Sequence, residues 1–127
     1  MEEAMKQHGA FSWNELMTTD VAGAKAFYGE LFGWSLRDEP MPEMVYTMAK
    51  VDDKDVAGIM AIPDEAKGMP ATWGAYVTVD DVDKQVKRVE SLGGKIMVPP
   101  QDIPDVGRFA VISDPQGAML SIITYKS

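Results

Sequence analysis

The chain has 127 residues, 46% of them apolar and 25% charged, which suits one ordinary soluble domain with a core of its own. Twenty acidic residues against 12 basic ones leave a formal net charge of −8, which disfavours nucleic acid and anionic membranes as partners. There is no cysteine, hence no disulfide framework or thiolate metal site. No apolar run approaches a membrane span, and the acidic N-terminus does not read as a secretion signal, so a cytoplasmic location is expected.

Segment 10–18 alternates weakly and predicts a strand. Asp20 is a good N-cap for a helix carrying Ala24, Phe27, Tyr28 and Leu31 at helical spacing, and Gly33 stops it. Trp34–Arg37 reads as a second strand, PMPE as a turn, and Met44–Lys50 as a third strand. DDKD forms a polar hairpin loop before a fourth strand, Val56–Ile62. Residues 63–70, with two prolines and a glycine, form a linker.

The order then returns. Trp73–Val79 predicts a strand, and Asp81 caps a helix carrying Val82, Val86, Val89 and Leu92, closed by Gly93 and Gly94. Lys95–Val98 is a strand, PPQDIPDVG a longer turn, and Arg108–Ser113 a strand. Asp114-Pro115-Gln116-Gly117 is turn chemistry before the last strand, Ala118–Tyr125.

An offset of 61 residues lays the second set over the first without a gap. Ala10 falls on Ala71, Asp20 on Asp81, Leu31 on Leu92, Ala49 on Ala110 and Ile62 on Ile123. The expected fold class is therefore α+β, with two βαβββ modules in tandem, residues 10–62 and 71–125, within a single domain 1–127. Two such modules are expected to make a pseudo-symmetric cleft.

Strand parity assigns faces. Ala75, Val77 and Val79 form an apolar face suited to packing on the second helix, and Asn14, Leu16 and Thr18 are their counterparts. Trp13, Glu15 and Met17 then share the opposite, concave face with Gly74, Tyr76 and Thr78.

The segments WNELMTTDVAGAKAFYGELFGW, WGAYVTVDDVDKQVKRVESLGGK and GRFAVISDPQGAMLSIITY resemble the vicinal oxygen chelate superfamily. That superfamily holds glyoxalase I, bleomycin-resistance proteins and extradiol dioxygenases. The resemblance runs from Phe11 to Tyr125 and implies paired βαβββ modules forming a half-barrel cleft, usually with two such clefts in a homodimer. In its metal-dependent members, His and Glu ligands come from the first and last strands of each module. Those positions are Trp13, Met60, Gly74 and Ser121 here, none of them an ordinary ligand of a divalent ion, so neither metal nor other cofactor is expected. The single histidine, His8, precedes the first strand and reads as a solvated residue.

The expected ligand-binding set is Trp13, Glu15, Met17, Met48, Met60, Tyr76, Phe109 and Ser121, with Glu15 the one candidate for a catalytic base. Arg108 could neutralise Glu15, serve an anion or hold a loop. Asp81 and Asp83 read as a helix cap and dipole partner, not a metal site.

Three functions fit these residues. The first is a metal-independent homodimer that binds a small cationic or aromatic molecule. The second is a lyase, isomerase or hydroxylase-type enzyme using Glu15, or a metal not evident in the sequence. The third is a dimeric scaffold whose cleft its own side chains fill.

Overall fold

The structure, a computed structural model, describes residues 2–41 and 44–126. It is a mixed α+β fold of eight strands and two α-helices, in the order βαβββ twice. The strands are β1 (Phe11–Thr18), β2 (Ser35–Met41), β3 (Met44–Val51), β4 (Lys54–Ala61), β5 (Thr72–Thr78), β6 (Lys95–Ile103), β7 (Gly107–Ser113) and β8 (Met119–Tyr125). Helix α1 spans Val21–Phe32 and α2 spans Val82–Val89, and each follows the first strand of its repeat.

The chain forms two compact units, one of Asn14–Gly74 and one of Met1–Trp13 with Ala75–Ser127. In the first, strand order is β2-β3-β4-β1, with β1 parallel to β4 and the other pairs antiparallel. In the second, the order β6-β7-β8-β5 repeats that arrangement, with β5 parallel to β8. The sequence repeat is thus a repeat of topology.

Capping follows the side chains that were expected to do it. Asp20 accepts a hydrogen bond from the Gly23 amide at 2.9 Å, and Asp81 one from the Lys84 amide at 3.2 Å. Gly33 closes α1 in the left-handed conformation, which costs a residue without Cβ little. A two-residue turn at Asp52 and Asp53, both with positive φ, joins β3 to β4. Among the described residues no helix is long and apolar enough to cross a membrane.

Two strands run on through prolines at which their sequence predicts a turn. β2 continues through Pro40 to Met41, where the PMPE turn was expected, and Pro42 and Glu43 of that turn lie outside the described residues. β6 continues through Pro99 and Pro100 to Ile103, so the turn shrinks to the residues around Pro104–Val106. The reason is position: β2 pairs only with β3 and β6 only with β7. An edge strand tolerates a proline on its unpaired side, and β6 absorbs its two with register shifts between Ile96 and Gln101.

Helix packing sets the faces. Val79, Val82, Ala110 and Ile122 are buried together, with Val77, Val86 and Ile112 against them, so α2 covers the even-numbered face of β7 and β8. Of Ala75, Val77 and Val79, which were expected to pack on this helix, Val77 and Val79 belong to that cluster. On the other unit, Leu36, Asp38 and Ala49 share the face beneath α1: Gly29 of the helix packs close to Leu36, and Lys25 reaches Asp38 at 2.9 Å. Unlike an ordinary amphipathic helix, α1 buries none of its residues fully. Phe27 and Leu31, read as a helical stripe, are each 59% exposed.

Candidate ligand-binding site

The registers decide which candidate residues share a face. Glu15 pairs with Gly58, Met17 with Met60, and Met48 with Gly58 across β1, β4 and β3. Cross-strand partners point to the same side of a sheet. Glu15, Met17, Met48 and Met60 therefore stand together on the face of the Asn14–Gly74 unit opposite α1. Leu16 and Thr18, of the other parity, are buried on the helix side. What the registers give these four candidates is a common sheet face.

Glu15 is only 8% exposed, an unusual burial for a carboxylate. Tyr46, on β3 two residues before Met48, donates its phenol hydrogen to Glu15 Oε2 at 2.8 Å. Gly58 lies between Glu15 and Met48 in the register, and a Cβ there would overlap the Tyr46 phenol oxygen and ring. Sequence reasoning missed both Tyr46 and Gly58. Strand parity could have found them, since each stands two residues from a methionine already placed on this face.

In the other unit Tyr76 pairs with Ser121, Val111 with Ser121, and Phe109 with Ile123, so Tyr76, Phe109 and Ser121 share the face opposite α2. Tyr76 is 6% exposed and Ser121 is half-buried. Trp13, also half-buried, has the strand parity of Glu15. Tyr125 joins this face and shares a hydrogen bond with Ser12 at 2.8 Å, and burial pushes its phenol above the usual range.

Arg108 does something else. It belongs to the parity of Ala110 and Ile112, which faces α2, and so meets Asp83 on that helix rather than Glu15. Its Nε and Nη2 fork onto Asp83 at 2.8 and 3.1 Å, and Nη1 reaches Asp102 at 3.0 Å. The guanidinium beside it holds the Asp83 carboxyl below the ordinary carboxylate range. Arg108 is thus a clamp between α2, β7 and β6. His8 is likewise fastened, accepting a hydrogen bond from the Asp80 amide at 3.0 Å.

Two concavities are lined by none of the eight expected ligand-binding residues. One of about 690 Å³ is lined by Lys6, Thr78, Asp80, Val106, Tyr125 and Lys126. The other, about 440 Å³, sits beside α1 and is walled by Tyr28, Phe32, Trp34 and Trp73. There Trp73 Nε1 donates to Tyr28 Oη at 3.0 Å, and Tyr28 and Trp34 stack at 5.7 Å. The rings satisfy one another.

The positions at which the resemblance implies a metal carry an indole, a thioether, a hydrogen and a hydroxyl, at Trp13, Met60, Gly74 and Ser121. None is the carboxylate or imidazole that a divalent ion asks of such a site. Among the described residues no three His, Cys, Asp or Glu side chains group closely enough to hold an ion. These residues do not fit the metal of the family's metal-dependent members.

Comparison with known proteins agrees with this architecture. The model of the Glyoxalase/Bleomycin resistance protein/Dioxygenase superfamily matches residues 10–122. CFP32 of Mycobacterium tuberculosis, which bears a glyoxylase name, is 44% identical over 119 residues, covering 91% of this chain and 46% of CFP32. The anthracycline biosynthesis protein DnrV of Streptomyces peucetius is 36% identical over 127 residues, covering 90% of this chain and 46% of DnrV. This chain therefore spans about half the length of these relatives. Among solved structures, methylmalonyl-CoA epimerase from Mycobacterium tuberculosis superposes with a TM-score of 0.66 at 15% identity, covering 100% of this chain and 93% of that one. A superfamily member from Vibrio splendidus 12B01 gives 0.59 at 14% identity, covering 88% and 96%. Both show the shared fold.

Proposed function

The chain belongs to the Glyoxalase/Bleomycin resistance protein/Dioxygenase superfamily, and from that premise we propose that it is a metal-independent binder of a small molecule with a cationic group and an aromatic body. The observation that carries this reading is Glu15, a carboxylate only 8% exposed on a helix-free sheet face among Met17, Met48 and Met60. A carboxylate held in such low-dielectric surroundings attracts a ligand cation more strongly than one in open water. Thioethers around it give a polarisable, adaptable wall for a ring.

The donor chemistry at Trp13, Met60, Gly74 and Ser121 supports binding without a divalent ion. Relatives named for the biosynthesis of anthracyclines, which are fused-ring aromatic compounds, support the aromatic half of the ligand. A cytoplasmic homodimer belongs to the same proposal, and sedimentation of the purified chain tests its oligomeric state.

The binding test is calorimetric titration with benzyltrimethylammonium, alongside neopentylbenzene, its uncharged carbon isostere. The cation should bind and the isostere should not match it. Glu15→Gln should weaken cation binding by tenfold or more, the scale of a hydrogen bond or ion pair to a charged group. Binding should survive exhaustive chelation. Loss of affinity on chelation, restored by nickel, zinc or iron, would overturn metal independence.

A further inference from the structure

Resting on that reading of Glu15, we propose that Tyr46 and Gly58 form its positioning pair: the glycine exists to let the phenol lie against the sheet and hold the carboxylate in place. Gly58 sits inside β4 (Lys54–Ala61), where glycine is a poor strand residue. It is not among the glycines of positive φ, so its backbone asks for no special freedom. What it supplies is the missing side chain. A Cβ at this position would overlap Tyr46 Oη, Cζ and Cε2.

The geometry around that vacancy is consistent. Gly58 pairs with Glu15 on one side and Met48 on the other. The Tyr46 ring crosses the space over Gly58, and its hydroxyl ends 2.8 Å from Glu15 Oε2. The phenol takes one of the roughly four acceptor positions that a carboxylate offers, and so helps to fix how the side chain is turned. Ordering the side chain before the ligand arrives removes a cost that binding would otherwise carry. Tyr46 thus acts through Glu15, and Gly58 acts through Tyr46.

The experiment titrates the full chain with benzyltrimethylammonium, which has no ionisable proton, across a range of pH. Tyr46→Phe keeps the ring and removes the donor. It should weaken binding about tenfold. It should also move the acid limit of binding to higher pH, because the phenol no longer favours the charged carboxylate. A merely structural tyrosine would leave that limit where it is. Gly58→Ala should weaken binding at least as much, and Tyr46→Ala should relieve part of its loss in melting temperature, so that the two changes are not additive. Should Gly58→Ala fail to fold, Tyr46→Phe and the double variant Gly58→Ala/Tyr46→Ala carry the test. Wild-type binding with Tyr46→Phe unchanged in affinity and acid limit overturns the positioning role alone. Wild-type protein that ignores the cation overturns the reading of Glu15 on which it rests.

Discussion

Single residues in this chain act through parity. Thr47 is fully buried and donates from Oγ1 to Asp38 at 2.7 Å, and Lys25 meets the same carboxylate. The Thr47 hydroxyl first, and Lys25 after it, hold the Asp38 carboxyl below its ordinary range. A carboxyl depressed in the folded state contributes stability that is present above its unfolded value, and this is lost as pH falls through the folded one. Thr47→Val should therefore raise the Asp38 titration midpoint, seen by carbon-detected NMR, and lower the melting temperature near neutrality. At a pH below both midpoints that difference should shrink, and an equal loss at every pH would mean Thr47 only packs. The same alternation made Glu15, Met17, Met48 and Met60 legible in the sequence. Tyr46 and Gly58 were equally within reach, but a tyrosine and a glycine look like ordinary strand filling until their contact is seen. The role of Arg108 stays open in the sequence between Glu15, an anion and a loop, because only the packing of β7 shows which parity faces α2.

Elements were legible where local chemistry dictates them and blurred where pairing does. The caps at Asp20 and Asp81 and the stop at Gly33 are properties of a few adjacent residues, and all three are found in place. Asp81→Ala should cost about 1 kcal/mol, the usual worth of an N-cap. That corresponds to a fall of about 4 °C in a thermal melt, and no change would mean α2 starts without help from its cap. The lengths of β2 and β6 were not legible. Prolines end strands that have neighbours on both sides, and only the topology shows that these two strands have one each. The exposed stripe of α1 was hidden for a related reason: helical spacing of Phe27 and Leu31 predicts a buried face only when something lies over it.

At the scale of the whole molecule, the repeat was visible as identities 61 residues apart and reappears as the strand order β2-β3-β4-β1 mirrored by β6-β7-β8-β5. Family membership followed from the same residues. The net charge of −8 bears on the proposed ligand. An anionic molecule draws a cation in faster than a neutral one, and salt screens that attraction. Stopped-flow association of benzyltrimethylammonium should slow as ionic strength rises. Glu15→Gln should act mainly on dissociation, and a rate of association indifferent to salt would remove long-range attraction from the account. The prolines of β2 and β6 carry a last implication. An unpaired strand edge is a template on which other chains can accrete, and a residue with no amide hydrogen interrupts that template. Pro40 on β2, and Pro99 with Pro100 on β6, interrupt strands that among the described residues pair on one side, so the duplicated fold blunts its own capacity to polymerise.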